Sequence, residues 1–159
     1  MRRKAMSHAR VIILVLTGVF AFVLLLFGYK GVASLSEKTN SAKLITIENR
    51  IKNSVKIVSQ SYGKMKKETF VFPDDYDKIC FIDLSERTFL AQNTDLPEII
   101  KDSVSSGSDQ NVFLLGKNRH SFNAGSISLK NPPFFKCFDI IGGSVKLTFE
   151  GIGGVASVS

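Results

Sequence analysis

The sequence has no tryptophan, and its 159 residues include two cysteines, two histidines and four prolines. With histidines only at 8 and 120 and no Cys-x-x-Cys pair, no group stands at the ligand spacing of a zinc site. The same shortage leaves no Ser–His arrangement for nucleophilic catalysis, and no Gly-x-Ser-x-Gly elbow occurs. The glycine-rich C-terminal end lacks the Lys and helix start of a phosphate-binding loop. Asp74, Asp75 and Asp77 crowd into four positions of PDDYDK, but calcium takes six or more oxygens, so the stretch reads as a solvated turn. No catalytic residue, cofactor, metal site or small-molecule substrate is read from the chain, and the expectation is a protein that is not an enzyme.

Acidic residues are also missing where they would matter most. Residues 1–29 carry four basic side chains and no acid, residues 30–67 carry nine against two, and residues 68–159 carry eight against twelve, giving +4, +7 and −4. A basic leading third followed by a mildly acidic remainder, without a recognition-fold signature, does not describe a nucleic-acid-binding domain. Positive charge beside an apolar segment points instead to anionic lipid headgroups.

That segment is VIILVLTGVFAFVLLLFGY, Val11–Tyr29, which contains no charge. A helix over it spans about 28 Å, close to a hydrocarbon core of about 30 Å, and it is apolar on every face. The reading is a single-pass transmembrane helix over 11–29, preceded by a basic leader over 1–10. Arg2, Arg3, Lys4 and Arg10 lie close together on one side, while Lys30, Lys38 and Lys43 are spread out on the other. The positive-inside rule then places the N-terminus in the cytoplasm and the remainder outside. A secretory signal cut near Gly31-Val32-Ala33 is the alternative, with a hydrophobic region longer than such signals carry.

Residues 31–41 are poor in apolar residues and rich in Ser, Thr and Asn; the helix can continue through them, and a bend or frayed turn is expected here before anywhere else. Helical periodicity then returns: Leu44, Ile47, Ile51, Val55, Val58, Tyr62 and Met65 recur at steps of three and four, with most charges off the stripe. An amphipathic stalk helix is expected over 30–67, its stripe either packed on the following domain or making a coiled-coil contact. Residues 68–159 read as a small antiparallel β-rich head with one short helix. Strand-like runs are Thr69–Phe72, Ile79–Ile82, Asn111–Leu115, Phe135–Ile141 and Ser144–Glu150, and Val155–Val158 can close the sheet. Gly142-Gly143 predicts a tight hairpin, Asp95 a helix cap with Glu98 in the capping-box position, and His120 a surface loop residue. The fold class is therefore α+β. Cys80 and Cys137, both inside strand-like runs, are either two buried thiols or, outside the cytosol, a disulfide.

A basic leader, a hydrophobic helix running into an amphipathic one and a β-rich head resemble the lollipop plan of type IV pilins. RRKA before Met6 is similar to the end of their leader peptides, which implies cleavage after Ala5. The stretches LFGYKGV, SYGKMKKETFVFP, DKICFIDL and GGSVKLTFEG, across most of the chain, resemble segments of uncharacterised archaeal single-pass membrane-anchored proteins. The pilin resemblance departs at one position. Pilins carry a glutamate five residues into the mature chain, where this sequence has Arg10, and no acid precedes Glu37. The resemblance implies a pseudopilin-like subunit or accessory in the cell membrane, its partners the lipid bilayer and other pilin-like subunits or cell-envelope proteins. The alternative is a monomeric tethered domain that binds a ligand or partner, with the helix as spacer.

Overall fold

A computed structural model describes the backbone of residues 2–159 and the side chains of residues 12–26 and 39–159. The chain divides into two units, Met1–Ser41 and Ala42–Ser159, and the long helix α1, Arg2–Ser59, contributes residues to both. Its helical hydrogen bonding is unbroken through residues 31–41, where a frayed turn was expected.

In the first unit the described residues 12–26 are a helix whose large apolar side chains all lie exposed. Among the described residues no helix is long and apolar enough to cross a membrane. The ends of the expected span, Val11 and Phe27–Tyr29, fall outside the described side chains, as do Arg2, Arg3, Lys4 and Arg10, the leader ending at Ala5, and Gly31-Val32-Ala33.

The second unit is a mixed α+β domain with two antiparallel sheets. Strands β1 (Met65–Val71), β2 (Tyr76–Ile82), β3 (Val112–Gly116), β4 (His120–Phe122), β5 (Phe135–Asp139), β6 (Ser144–Gly151) and β7 (Ala156–Val158) are joined by α2 (Arg87–Gln92) and α3 (Glu98–Ser105). One sheet runs β1-β6-β7 and the other β4-β3-β2-β5. Strand β2 explains the layering. Its run Ile79-Cys80-Phe81-Ile82 is apolar without alternation and buried throughout, as a central strand covered on both faces must be. Ile79 and Phe81 face a first core with Ile47, Ile51, Val55 and Val58 of α1, Val112 and Leu114 of β3, and the inner face of the three-stranded sheet. Cys80 and Ile82 face a second core closed by Leu90 of α2 and Ile100 and Val104 of α3. Edge-to-face contacts at 6.0–6.4 Å link Phe70, Phe149, Phe81 and Phe138 across the first core.

Several boundaries differ from the sequence reading. The stalk helix ends at Ser59, short of residue 67, and the β-rich region starts at Met65. Gly63 takes a left-handed φ of 72°, and the Gly154 amide donates to the Ser59 carbonyl at 3.0 Å, satisfying a group the helix leaves open. A Cβ on Gly151 would strike the carbonyl oxygens of Val58 and Ser61, so only glycine lets β6 pass so close beneath the helix end. Gly142 and Gly143, at φ 59° and 69°, do form a tight turn, with paired bonds between Ile141 and Ser144. The flanking strands then part, β5 joining one sheet and β6 the other, so the turn is a corner between sheets. Helix α3 begins after Pro97, and Asp95 does not cap it; its amide is held instead by the Asn93 side chain.

Candidate functional site

Residues 12–26 give the molecule its least ordinary surface. Twelve of these fifteen residues are Ile, Leu, Val or Phe, and Val23, at 39%, is the least exposed of them. A soluble domain rarely leaves so much contiguous apolar surface open. Thr17 supplies the only side-chain polar group in the stretch, and its hydroxyl donates back to the Ile13 carbonyl at 2.5 Å. The segment therefore presents no unsatisfied hydrogen-bonding group to an apolar medium. On an insertion scale its twelve large residues favour the membrane by roughly 5 kcal/mol.

The same helix is used differently further on. Ile47, Ile51, Val55 and Val58 are at most 4% exposed, and Leu44 packs at the rim of the first core. Tyr62 and Met65 do not belong to this stripe. They lie past the helix end, in the turn and at the start of β1, at 83% and 60% exposure. Their spacing fits a helix that has already ended at Ser59.

A polar clasp ties α1 to β1. Ser54 is fully buried; its hydroxyl lies 2.8 Å from the Arg50 carbonyl and 2.9 Å from Glu68 Oε1, and it accepts from Lys66 Nζ at 3.1 Å. Glu68 also pairs with Lys66, and with Arg50 at 3.1 Å. Burial pushes the Glu68 carboxyl up, but the hydrogen bonds from Lys66 and Ser54 and the charges of Lys66 and Arg50 outweigh it and hold it below its ordinary range. Beside the clasp, His120 is not a free loop residue. It belongs to β4, and its Nε2 lies 3.2 Å from Glu48 Oε2, while Lys52 donates to the other oxygen, Oε1, at 2.6 Å. Nothing in local sequence links 120 to 48; the pairing of β3 with β4 brings them together.

Cys80 and Cys137 form a disulfide. They stand directly opposite each other on β2 and β5, with Cα atoms 4.0 Å apart at a sequence separation of 57. The bond lies in the second core, away from the stripe of α1.

A cleft of about 490 Å³ opens between the turn after β2 and residues 123–128, lined by Asp83, Ser85, Asn111, Asn123 and Ser128 among others. Its deepest polar groups already serve the fold. Asp83 accepts from the Ser85 amide and hydroxyl and from the Leu129 amide, at 3.0, 2.6 and 2.9 Å. Burial raises the Asp83 carboxyl, yet these donors and Ser128 bring it below its usual value. Asn111 donates to the Gly125 carbonyl and accepts from the Ala124 amide. Among the described residues no group of three or more His, Cys, Asp or Glu could hold a metal. Local pattern does not announce Asp83, Asn111 or Ser54, each of which also bonds a group far along the chain: Leu129, Gly125 and Glu68 respectively. Comparison with known protein families, curated proteins and solved structures finds no match to this chain.

Proposed function

We propose that the protein is a membrane-anchored, extracytoplasmic structural or interaction protein, a pseudopilin-like subunit or accessory rather than a major filament builder. The observation that carries this reading is the all-round exposure of the apolar helix at 12–26, with its one polar side chain bonded to its own backbone. The fifteen residues 12–26 rise about 22 Å as helix, and four more on the expected span bring it to bilayer thickness. The disulfide supports placement of the head outside the cytosol, where such bonds persist. In this reading 1–10 is cytoplasmic, 11–29 spans the bilayer and the domain beyond is outside. No acid in the first thirty-six residues answers Arg10, which argues against a bundle of many such helices.

One observation favours the second reading, a monomeric tethered binding domain. The stripe of α1 is consumed by the head's own core, so it offers no apolar seam to a neighbouring subunit at that level. Both readings share the anchor. The experiment is alkaline-carbonate extraction of membranes, followed by protease treatment of intact cells. Retention in the membrane with digestion of the head from outside is expected. Release by carbonate refutes the anchor, and protection of the head until lysis refutes the orientation.

A further inference from the structure

The second unit is electrically two-sided. From residue 42 to 59, α1 carries four basic side chains against one acidic; Arg50 is paired with Glu68 of β1 and Lys52 with Glu48, while residues 84–110, holding α2 and α3, carry five acidic against two basic, a net −3. These segments close different cores on opposite faces of the β4-β3-β2-β5 sheet, so the two charges point away from each other. On the basic side Lys43 and Lys56 are exposed, and Glu48 is already held by Lys52 and His120. On the acidic side Asp95, Glu98 and Asp102 are exposed, flanked by half-buried Lys101 and by Arg119 at the edge of a groove shared with Glu98 and Asp102. Among the described residues none of Lys43, Lys56, Asp95, Glu98 and Asp102 makes an ion pair within the chain.

We infer that the basic face of α1 in one copy docks on the acidic α2–α3 face of a second copy of this chain. Faces on opposite sides of a layered domain are joined by translation, so successive copies keep one orientation. Such a contact is heterologous, with different surfaces used on each side. Exposed ion pairs contribute little each and are screened by salt, so free heads do not associate appreciably. Anchoring changes this: confinement to one bilayer raises the effective concentration towards the millimolar range. The contact thus makes loose, salt-labile clusters of anchored copies. It rests on the anchor proposed above.

The test uses the full chain reconstituted in phosphatidylcholine vesicles, which lack anionic headgroups, with isotopically labelled and unlabelled copies mixed. A zero-length carbodiimide joins amines to carboxylates already in contact, and mass spectrometry locates the bonds. The expected result at about 20 mM salt is inter-copy bonds from Lys43 or Lys56 to Asp95, Glu98 or Asp102, falling several-fold at about 0.5 M as the Debye length shortens. Lys56→Glu and Asp102→Lys should each lower the yield several-fold. Vesicles carrying both variants should recover most of it, because the two reversed charges now face one another. Unchanged yield at high salt, bonds at other sites, or no recovery in the mixture overturns the inference. Flotation with the vesicles separates the two readings. A chain that floats without these bonds refutes the contact alone, and a chain that does not float refutes the anchor and the contact with it.

Discussion

Two stretches of one helix, residues 12–26 and residues 44–58, share a secondary structure and differ in almost everything else. In the first every large apolar side chain is open. In the second, Ile47, Ile51, Val55 and Val58 form one stripe sealed in the core, while Arg50 and Lys56 face outward and Ile45, off the stripe, is exposed. Propensity does not separate them, since both form α-helix readily. The angular spread of the apolar residues does. A stripe needs one covering layer, which the sheets supply; an all-round surface needs a surrounding medium.

The largest effect should come from placing one charge on each stretch. Ile51→Asp puts a carboxylate at a fully buried position with no cation arranged to meet it, and should cost about 4 kcal/mol or more. Leu16→Asp, at a site 69% exposed, should leave head stability unchanged and weaken membrane retention by about 3 kcal/mol. Chemical denaturation of the head and carbonate extraction read the two separately. If both variants moved the same observable, the stretches would not be serving different media.

Removing the disulfide should sharpen the contrast from the other side. Cys80→Ala with Cys137→Ala opens a loop with a sequence separation of 57, for which chain entropy gives about 4 kcal/mol as an upper figure. The bond closes the second core, so α1 should keep its contacts with the first while the denaturation midpoint falls. A midpoint unchanged by the double substitution would mean that β2 and β5 are held by the ladder and aromatic packing alone.

Much of this contrast was legible from periodicity, because Leu44, Ile47, Ile51, Val55 and Val58 keep helical spacing and the Val11–Tyr29 run keeps none. The strand run at 144–150 was legible from its alternation, and those at 69–72 and 79–82 from their aromatic and branched residues. Where reading failed, distance in sequence or backbone conformation decided. Tyr62 and Met65 match the stripe by count, yet the helix ends first, at Ser59, capped by an amide from residue 154, and a left-handed glycine lies between them. Gly142-Gly143 encodes a reversal and not which sheet each flanking strand will join. The clasp at Ser54 and the Glu48–His120 pair depend on strand pairing that no local pattern announces.

Gly151→Ala tests the point where α1 stops. The added methyl would meet backbone carbonyls of residues 58 and 61, which cannot swing aside as a side chain can. Displacing the helix end or β6 should cost about 1–3 kcal/mol. Amide exchange should speed up at the Gly63, Gly151 and Gly154 donors and stay unchanged in the β2–β3 ladder. Uniform acceleration instead would make the helix end part of one cooperative unit with the four-stranded sheet.

The smallest effect concerns the clasp, and it has a direction in pH. Glu68 is 14% exposed and its carboxyl is held below the ordinary value of about 4.3. A carboxyl whose value is lowered by folding stabilises the fold above its unfolded value, and that contribution drains as pH falls through the lower folded one. Glu48 and Asp83 are shifted in the same direction, so acid lability has several contributors. Glu68→Gln removes one of them and should cost about 1–2 kcal/mol at pH 7, from the weakened contacts with Lys66, Arg50 and Ser54. The difference between the parent and Glu68→Gln should then shrink as pH drops below about 4, because protonation neutralises in the parent what substitution has already neutralised in the variant. Denaturation series at pH 7, 5, 4 and 3 measure it. A difference that stays constant across the series would mean that Glu68 acts through shape alone. α1 would then be held on β1 by its apolar stripe and not by charge.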